Sequence, residues 1–452
     1  MLAKLGEAPQ EPGLDEIDDE RDAIQDIENE EAAEQCMIVT PPDSFVTKYV
    51  NYASQRTDAP PVAHTLMALG LLSALAGPKP RLPIATVVHG WSLTLWVMYI
   101  VNSTTGRKSS TIDYAVDIAV EVLGREAVIY WEGSPQAVLQ KLAERDGESC
   151  LFVRDEYSGL LGQMNKGGHM AGLAQTFIRA FDGAPLENNR TKKRNKKTGI
   201  LENDTDRAEH PFLAKLCAST WDSFTMRATI DNVLDGFLAR FITATGAAVP
   251  RRMARATPEL DRLREALIEH ARQFHLKTRS IETLDLDDDV LELSWILEQE
   301  WSLQAPRCSR PDAAGPALKR LADSVLKVAA LLSIDSAEPG AVPRVTASHF
   351  EQARMLGARW LDSTMMLIDA LGRTAFQQDC QAVLTTVRSS PGGVPLRDLY
   401  RKHQRLKKRD FDEILAALYI QEEIRREERK GETKKRGPKM QWIVATRKGR
   451  NA

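Results

Sequence analysis

The chain has 452 residues, room for two or three cored domains, and its 43% apolar and 27% charged residues are those of an ordinary globular protein. Five scattered cysteines without a CxxC pair exclude a zinc ribbon or disulfide framework and fit a reducing, cytoplasmic setting. The net charge of -3 hides an asymmetry: residues 1–36 hold 13 Asp/Glu against Lys4 and Arg21, while residues 381–452 hold 19 Lys/Arg against 9 Asp/Glu.

In chain order, residues 1–40 read as an acidic, solvated, disordered tail. No apolar leader follows a basic start, so no signal peptide is expected. A linker at 41–44 opens a helical segment, 41–90, with helices over 45–56 and 62–76. The second holds the longest apolar stretch, which His64, Thr65, Gly70 and Ser73 break short of the roughly 20 residues of a membrane span.

Between 91 and 255 the pattern becomes α/β. Residues 93–101, LTLWVMYIV, form a nearly continuous apolar run, as in a strand buried on both faces. A polar loop leads to a helix from Thr111 with Ile112, Ala115, Val116, Ala119, Val122 and Leu123 on one face. A strand over 127–131 precedes Ser134 as an N-cap, Pro135 at the first helical position and a helix ending near Arg145. Strands over 150–153, 212–218 and 241–244 complete a parallel sheet.

Residues 256–372 read as helical throughout, a lid-like domain without strand signals. In 373–446 a helix through Phe376, Cys380, Val383, Leu384 and Val387 is followed by a turn at 390–393 and a helix over 396–403. A third helix carries Phe411, Ile414, Leu415 and Leu418, then come a charged hairpin over 425–439 and a strand over 441–445. Three helices and a β-wing describe a winged helix. Residues 447–452 are a basic tail, and no repeat of solenoid period is present.

The loop NSTTGRKSS, 102–110, lies between a buried strand and an amphipathic helix. Phosphate binding asks for backbone N–H groups and a helix N-terminus aimed at the ligand, a lysine for the β/γ-phosphates and a hydroxyl for Mg²⁺. Thr105, Gly106, Arg107, Lys108, Ser109 and Ser110 are the candidate ATP-binding residues. The pattern G-x-x-x-x-G-K-[ST] would place glycines at Asn102 and Arg107, whereas Gly106 stands one position early.

About 47 residues after Lys108, the strand in CLFVRDEYSGLL ends in Asp155-Glu156. There Asp155 would hold Mg²⁺, usually through water, and Glu156 would polarise the attacking water. Arg154 is unusual in such a strand. The run 212–218 ends in Ser219-Thr220, where a γ-phosphate sensor would sit, with Thr220 the candidate. Arg240, just before the last strand, would reach a neighbouring subunit's nucleotide and stabilise transition-state charge. The catalytic candidates are therefore Lys108, Glu156 and Arg240.

The segments LWVMYIVNSTTGRKSS, LFVRDEYSGLL, AFDGAPLENNRTKK and GFLARF resemble a family of P-loop ATPases of phages, plasmids and other mobile elements. Its members often form the helicase-like half of primase–helicase proteins. The resemblance covers roughly residues 40–370, and in that family the phosphate loop commonly reads R-K-S or G-K-S. It implies a RecA/AAA+-like core assembled as a ring, and an ATP- and Mg²⁺-dependent enzyme.

Arg190, Lys192, Lys193, Arg194, Lys196 and Lys197 put six positive charges in eight residues, either a solvated loop or a phosphate-binding one. Ring helicases of the implied type carry a basic pore hairpin in this place, so single-stranded DNA is the expected partner. Lys407, Lys408 and Arg409 open the third C-terminal helix, where a recognition helix meets duplex DNA. Arg425, Arg426, Arg429, Lys430, Lys434, Lys435, Arg436 and Lys439 crowd the wing, which could also dock protein. The leading expectation is a DNA helicase or translocase. The alternative is an ATP-switched, DNA-binding initiator, loader or transposition regulator that does not unwind.

Overall fold

Trp96–Val101 (β1) consists of six apolar residues, all buried. Four parallel strands share its sheet: Val128–Tyr130 (β2), Cys150–Arg154 (β3), Leu213–Thr220 (β4) and Phe241–Gly246 (β5). Their order is β5-β1-β4-β3-β2, so β4 is inserted between β1 and β3. The strand expected over 93–101 begins late because the Ser73 hydroxyl occupies its backbone. It donates to the Leu93 carbonyl and accepts from the Leu95 N–H, both at 2.9 Å.

The computed structural model describes residues 39–446 except 88, 102–106, 131–133, 171, 190–192, 195–200, 203–204, 247–254, 373–374, 391 and 431–438. The acidic tail up to residue 38, the basic tail 447–452, and Thr105, Gly106, Arg190, Lys192, Lys196, Lys197, Lys434, Lys435 and Arg436 lie outside the described residues. Of Lys193 and Arg194 only the backbone is described.

Helices cover both faces of the sheet. Before it come Phe45–Ser54 (α1), capped by the Ser44 hydroxyl, and Pro61–Ala76 (α2), which is apolar on all sides and almost wholly buried. A β-carbon on Gly70 would meet Leu216 Cδ2 at 2.5 Å and Val97 Cγ2 at 2.8 Å, so glycine lets α2 lie directly on the sheet. Within the α/β part run Lys108–Leu123 (α3), Pro135–Glu144 (α4), Tyr157–Lys166 (α5), Leu173–Phe181 (α6) and Trp221–Arg227 (α7). Between α6 and β4 an antiparallel ribbon pairs Leu186–Asn189 with Thr205–Ala208, and Lys193–Arg194 with Leu201–Glu202.

After the sheet follow Pro258–Arg279 (α8), Asp288–Ser302 (α9), Pro311–Ser336 (α10) and Ala347–Gly372 (α11). Helix α8 packs on α1, α2 and α3, and α10 packs on α2. The segments before, within and after the α/β core thus belong to one compact unit, which ends at Ile368. The stretch expected to be purely helical contains a short parallel pair, Asp285–Leu286 with Arg344–Val345. Two-residue strands carry no periodicity to read, and Arg344 fastens this pair through Asp285 and Asp287.

The second unit begins at Asp369. It holds the helices Ala375–Arg388 (α12), Leu396–Lys402 (α13) and Lys408–Ile420 (α14). Its antiparallel sheet has Val394–Pro395 (β6), Ile424–Lys430 (β7) and Lys439–Ala445 (β8), with β8 in the middle. Val383, Val387, Leu399, Phe411, Ile414 and Ile443 form much of its core. No helix among the described residues is long and apolar enough to cross a membrane.

Candidate functional site

In open parallel sheets, ligands collect at the carboxyl ends of the strands, where strand order reverses. Val101 at the end of β1 lies opposite Thr220 of β4 on one side and Gly246 of β5 on the other. Arg154 of β3 lies opposite Cys217 of β4. The end of β1 and the acidic pair after β3 therefore flank the tip of β4.

Lys108 is the first residue of α3, so Lys108, Ser109 and Ser110 belong to its first turn, ahead of the expected start at Thr111. The N–H groups of such a turn have no partner within the helix and favour an anion. Arg107 precedes it in the left-handed region, φ 47° and ψ 28°. That conformation is open to glycine and disfavoured for a β-carbon, which explains why a glycine is expected here. Two contacts hold Arg107 in place. Its carbonyl accepts from the Thr111 N–H and hydroxyl, both at 3.1 Å, and its Nε donates to Asp58 Oδ1 at 3.0 Å.

The lysine and the acidic pair meet directly. Lys108 Nζ forms an ion pair with Glu156 Oε2, and the Ser109 hydroxyl donates to Asp155 Oδ2 at 2.8 Å. Glu156 Oε1 accepts from Ser158 at 2.6 Å and from Ser219 at 3.2 Å. Burial would raise the Glu156 carboxyl, but the hydrogen bonds from Lys108, Ser158 and Ser219 and the Lys108 charge outweigh it and lower the pKa. Arg154, the unusual charge in this strand, donates through Nε to the Glu156 carbonyl at 3.4 Å.

Several residues here escaped the sequence. Ser219 rather than Thr220 reaches Glu156; consecutive strand residues point to opposite faces, so only one of the pair can turn this way. Thr220 instead caps α7 through its backbone position, without a side-chain cap bond. Arg227 bonds Ser158 and Ser223, four residues apart from it on α7 in the latter case, and so joins the network around Glu156. Asp113 stands four residues after Ser109 on α3. Burial, then the Asp155 charge, raise its pKa. The helical spacing from Ser109 was the one signal for it.

The remaining expected residues lie elsewhere. Arg240 precedes β5, at the edge of the sheet opposite Lys108, and is not part of this cluster. Its guanidinium forms an ion pair with Asp182 at 2.9 Å and donates to the Gly236 carbonyl at 2.8 Å. In the second unit Lys407 caps α14, Lys408 begins it, and Arg409 pairs with Glu413 at 3.0 Å. On β7, Arg425 and Arg429 both pair with Glu427, so the described part of the wing carries less net positive charge than its arginines suggest.

A scan against protein-family models finds no match for the chain, and a search of curated proteins finds no relative.

The donor set suits a hard divalent cation bound together with phosphates. Mg²⁺ takes one or two protein oxygens and completes its shell with phosphate and water. Ser109 and Asp155 supply such oxygens 2.8 Å apart. Among the described residues no group of three or more His, Cys, Asp or Glu forms an all-protein metal cage.

Proposed function

We propose that this chain is a P-loop ATPase that drives movement along DNA, a ring-forming helicase or translocase similar to the helicase-like half of phage and plasmid primase–helicases. The observation that carries this reading is the meeting of Lys108 with Glu156, and of Ser109 with Asp155, at the carboxyl edge of one parallel sheet. The insertion of β4 supports it by setting Ser219 between the two.

Each residue then has a role. The first turn of α3 and Lys108 would bind the β- and γ-phosphates, and Ser109 and Asp155 would hold Mg²⁺, which would neutralise phosphate charge. Without nucleotide, Lys108 and Glu156 neutralise each other. Phosphate draws Lys108 away and frees Glu156 Oε2. Ser158 and Ser219 keep Oε1 engaged, which orients Oε2 to accept the proton of the attacking water. The second unit, three helices and a three-stranded antiparallel sheet, reads as a winged helix, in which Lys407 and Lys408 at the start of α14 would meet DNA phosphates. The basic ribbon between α6 and β4 is assigned to single-stranded DNA.

The test is Mg²⁺-dependent ATP turnover, with and without single-stranded DNA, followed by strand displacement on a fork. Turnover that disappears in Lys108→Ala supports the reading. An inability of the wild-type chain to bind ATP with Mg²⁺ sinks it.

A further inference from the structure

At the sheet edge opposite Lys108, a cavity of about 250 Å³ opens between α10, the end of α6, the turn before β5 and the segment leading to β1. Its charged lining is unbalanced, with Arg240, Arg320 and Lys327 against Asp182 and Asp323. Asp182 is committed to Arg240.

The two guanidinium groups crowd over one backbone position. A β-carbon on Gly236 would lie 3.0 Å from Arg240 Nη1 and 3.2 Å from Arg320 Nη2, and Gly236 has a φ of 83°. The Arg320 guanidinium has no hydrogen bond or ion pair among the described residues, although its carbonyl accepts from the Ser324 hydroxyl at 3.0 Å. Burial, and then the Arg240 charge, push its pKa below the ordinary value. Like charges gathered in this way, with Asp182 and Asp323 near Arg320 but not in an ion pair with it, are the arrangement an anion relieves.

Lys327 adds the buried donor. It is only 7% exposed, and its ammonium gives one bond, to the Thr94 carbonyl at 3.2 Å, while standing 4.2 Å from the Phe181 ring. An ammonium carries three donors, so this one bond leaves donor capacity for a ligand in the cavity it lines. A cluster meant only for stability would pair Arg320 with Asp323 from one turn further along α10. Neither side chain has a hydrogen-bond partner among the described residues.

We propose that this cavity is an oxyanion site, in which Arg320 and Lys327 bind a phosphate- or sulfate-sized dianion and Arg240 closes one side. Trp91 and Phe181 supply apolar walls. The proposal concerns the edge of the sheet away from Lys108; binding of a free anion stands on this cavity alone, and the nucleotide source rests on the proposed ATP binding. The oxyanion has two available sources, a free inorganic anion or a phosphoryl group presented by a nucleotide on a second copy of the chain.

Sulfate is the probe, because it stays fully ionised across neutral pH. Calorimetric titration of the full chain with sodium sulfate at constant ionic strength should show saturable binding. Arg320→Ala and Lys327→Met should each weaken it about 10- to 100-fold, the loss of one or two charge-assisted bonds. Lys108→Ala should remove only sulfate bound at the phosphate loop and leave the Arg320-dependent component unchanged, which separates the two sites. Arg320 is half-buried on the helix surface, so its variant is expected to keep the wild-type melting curve. If free sulfate does not bind, the second source is read by sedimentation with a non-hydrolysable ATP analogue. Nucleotide-dependent self-association lost in Arg320→Ala then supports the proposal. Sulfate binding that follows Lys108 and ignores Arg320, or no sulfate binding with self-association unaltered by Arg320→Ala, overturns it.

Discussion

The two edges of the central sheet are built from the same five strands, yet they handle charge in opposite ways. At the carboxyl edge, Lys108, Glu156, Ser109 and Asp155 are part-exposed and bonded in pairs, with the buried Ser219 donating to Glu156. At the amino edge, Arg320, Lys327 and Asp323 sit in or beside a helix-walled cavity with few bonds between them. Part-exposed pairs can exchange partners at little cost, because water replaces what a ligand removes. Buried charges lack that option, so their imbalance is held by the surrounding packing and persists until a ligand answers it.

The largest expected contrast is catalytic. Glu156→Gln should lower ATP turnover by roughly 10²- to 10⁴-fold, the usual worth of a general base, with little change in nucleotide affinity. Arg240→Ala should abolish turnover while sparing binding, and mixing it with Glu156→Gln subunits should restore part of the rate. Failure of the mixture to recover activity would remove Arg240 from any role across subunits.

Next comes Lys215, in the middle of the sheet. It is fully buried, without a hydrogen-bond partner for its amine among the described residues, and stands 3.2 Å from the Phe177 ring centroid and 3.8 Å from that of Trp96. The rings attract an ammonium, but burial dominates and holds its pKa well below the ordinary range. Lys215→Met, nearly equal in length, should raise stability by about 1–4 kcal/mol in urea melts. A loss of stability would mean that the ring cage outweighs desolvation.

A pH comparison sharpens the amino edge. Burial lowers Lys327 from 10.5 to about 8, and burial raises Asp323 from 3.8 to about 6. Around them stand Arg81, Asp182, Arg240, Glu298, Lys319 and Arg320. Between about pH 8 and 10.5 the unfolded chain holds the Lys327 proton that the folded chain has released, so stability from this group rises with pH. Between pH 3.8 and 6 the folded state holds the extra proton on Asp323, so stability from that group falls as pH rises. The wild type should therefore gain on the order of 1 kcal/mol relative to Lys327→Met between pH 7 and 9. Parallel pH profiles would assign the titration elsewhere.

The smallest effect belongs to Arg107. Glycine would relieve its left-handed backbone but lose the Asp58 contact, so Arg107→Gly should change stability by less than about 1 kcal/mol. A loss of several kcal/mol, measured by denaturant melts, would make the Asp58 pair the main anchor of this turn.

What the sequence revealed follows from what it encodes locally. An unbroken apolar run marked β1, and an acidic pair closing another run marked the end of β3. The Arg107 mismatch was visible, but its left-handed backbone was not, because φ is set by the turn and the Asp58 contact 49 residues away. Lys215 is the one charge in the apolar run of β4, and only the inserted strand position surrounds it with rings from five other elements, β1, β3, α5, α6 and β5. The amino-edge cavity was invisible for a similar reason. Trp91, Asp182, Arg240 and Arg320 have no shared motif and meet only through the packing of α6 and α10 on the sheet.

The insertion of β4 also sets a timetable for synthesis. Trp96 of β1 donates to the Leu213 carbonyl of its neighbour, 117 residues downstream. At about 5–20 residues per second, the ribosome takes on the order of 6–23 s to deliver that partner. Throughout that interval β1 is a six-residue, wholly apolar strand with neither flank in place, the kind of segment that aggregates when left open. Helix α2, already made, is the first covering element available, and Gly70 lets it press close to Val97. The nascent chain is thus expected to shelter β1 on α2, and a bulkier residue at Gly70 should lower the soluble yield before any effect on the finished protein is measured.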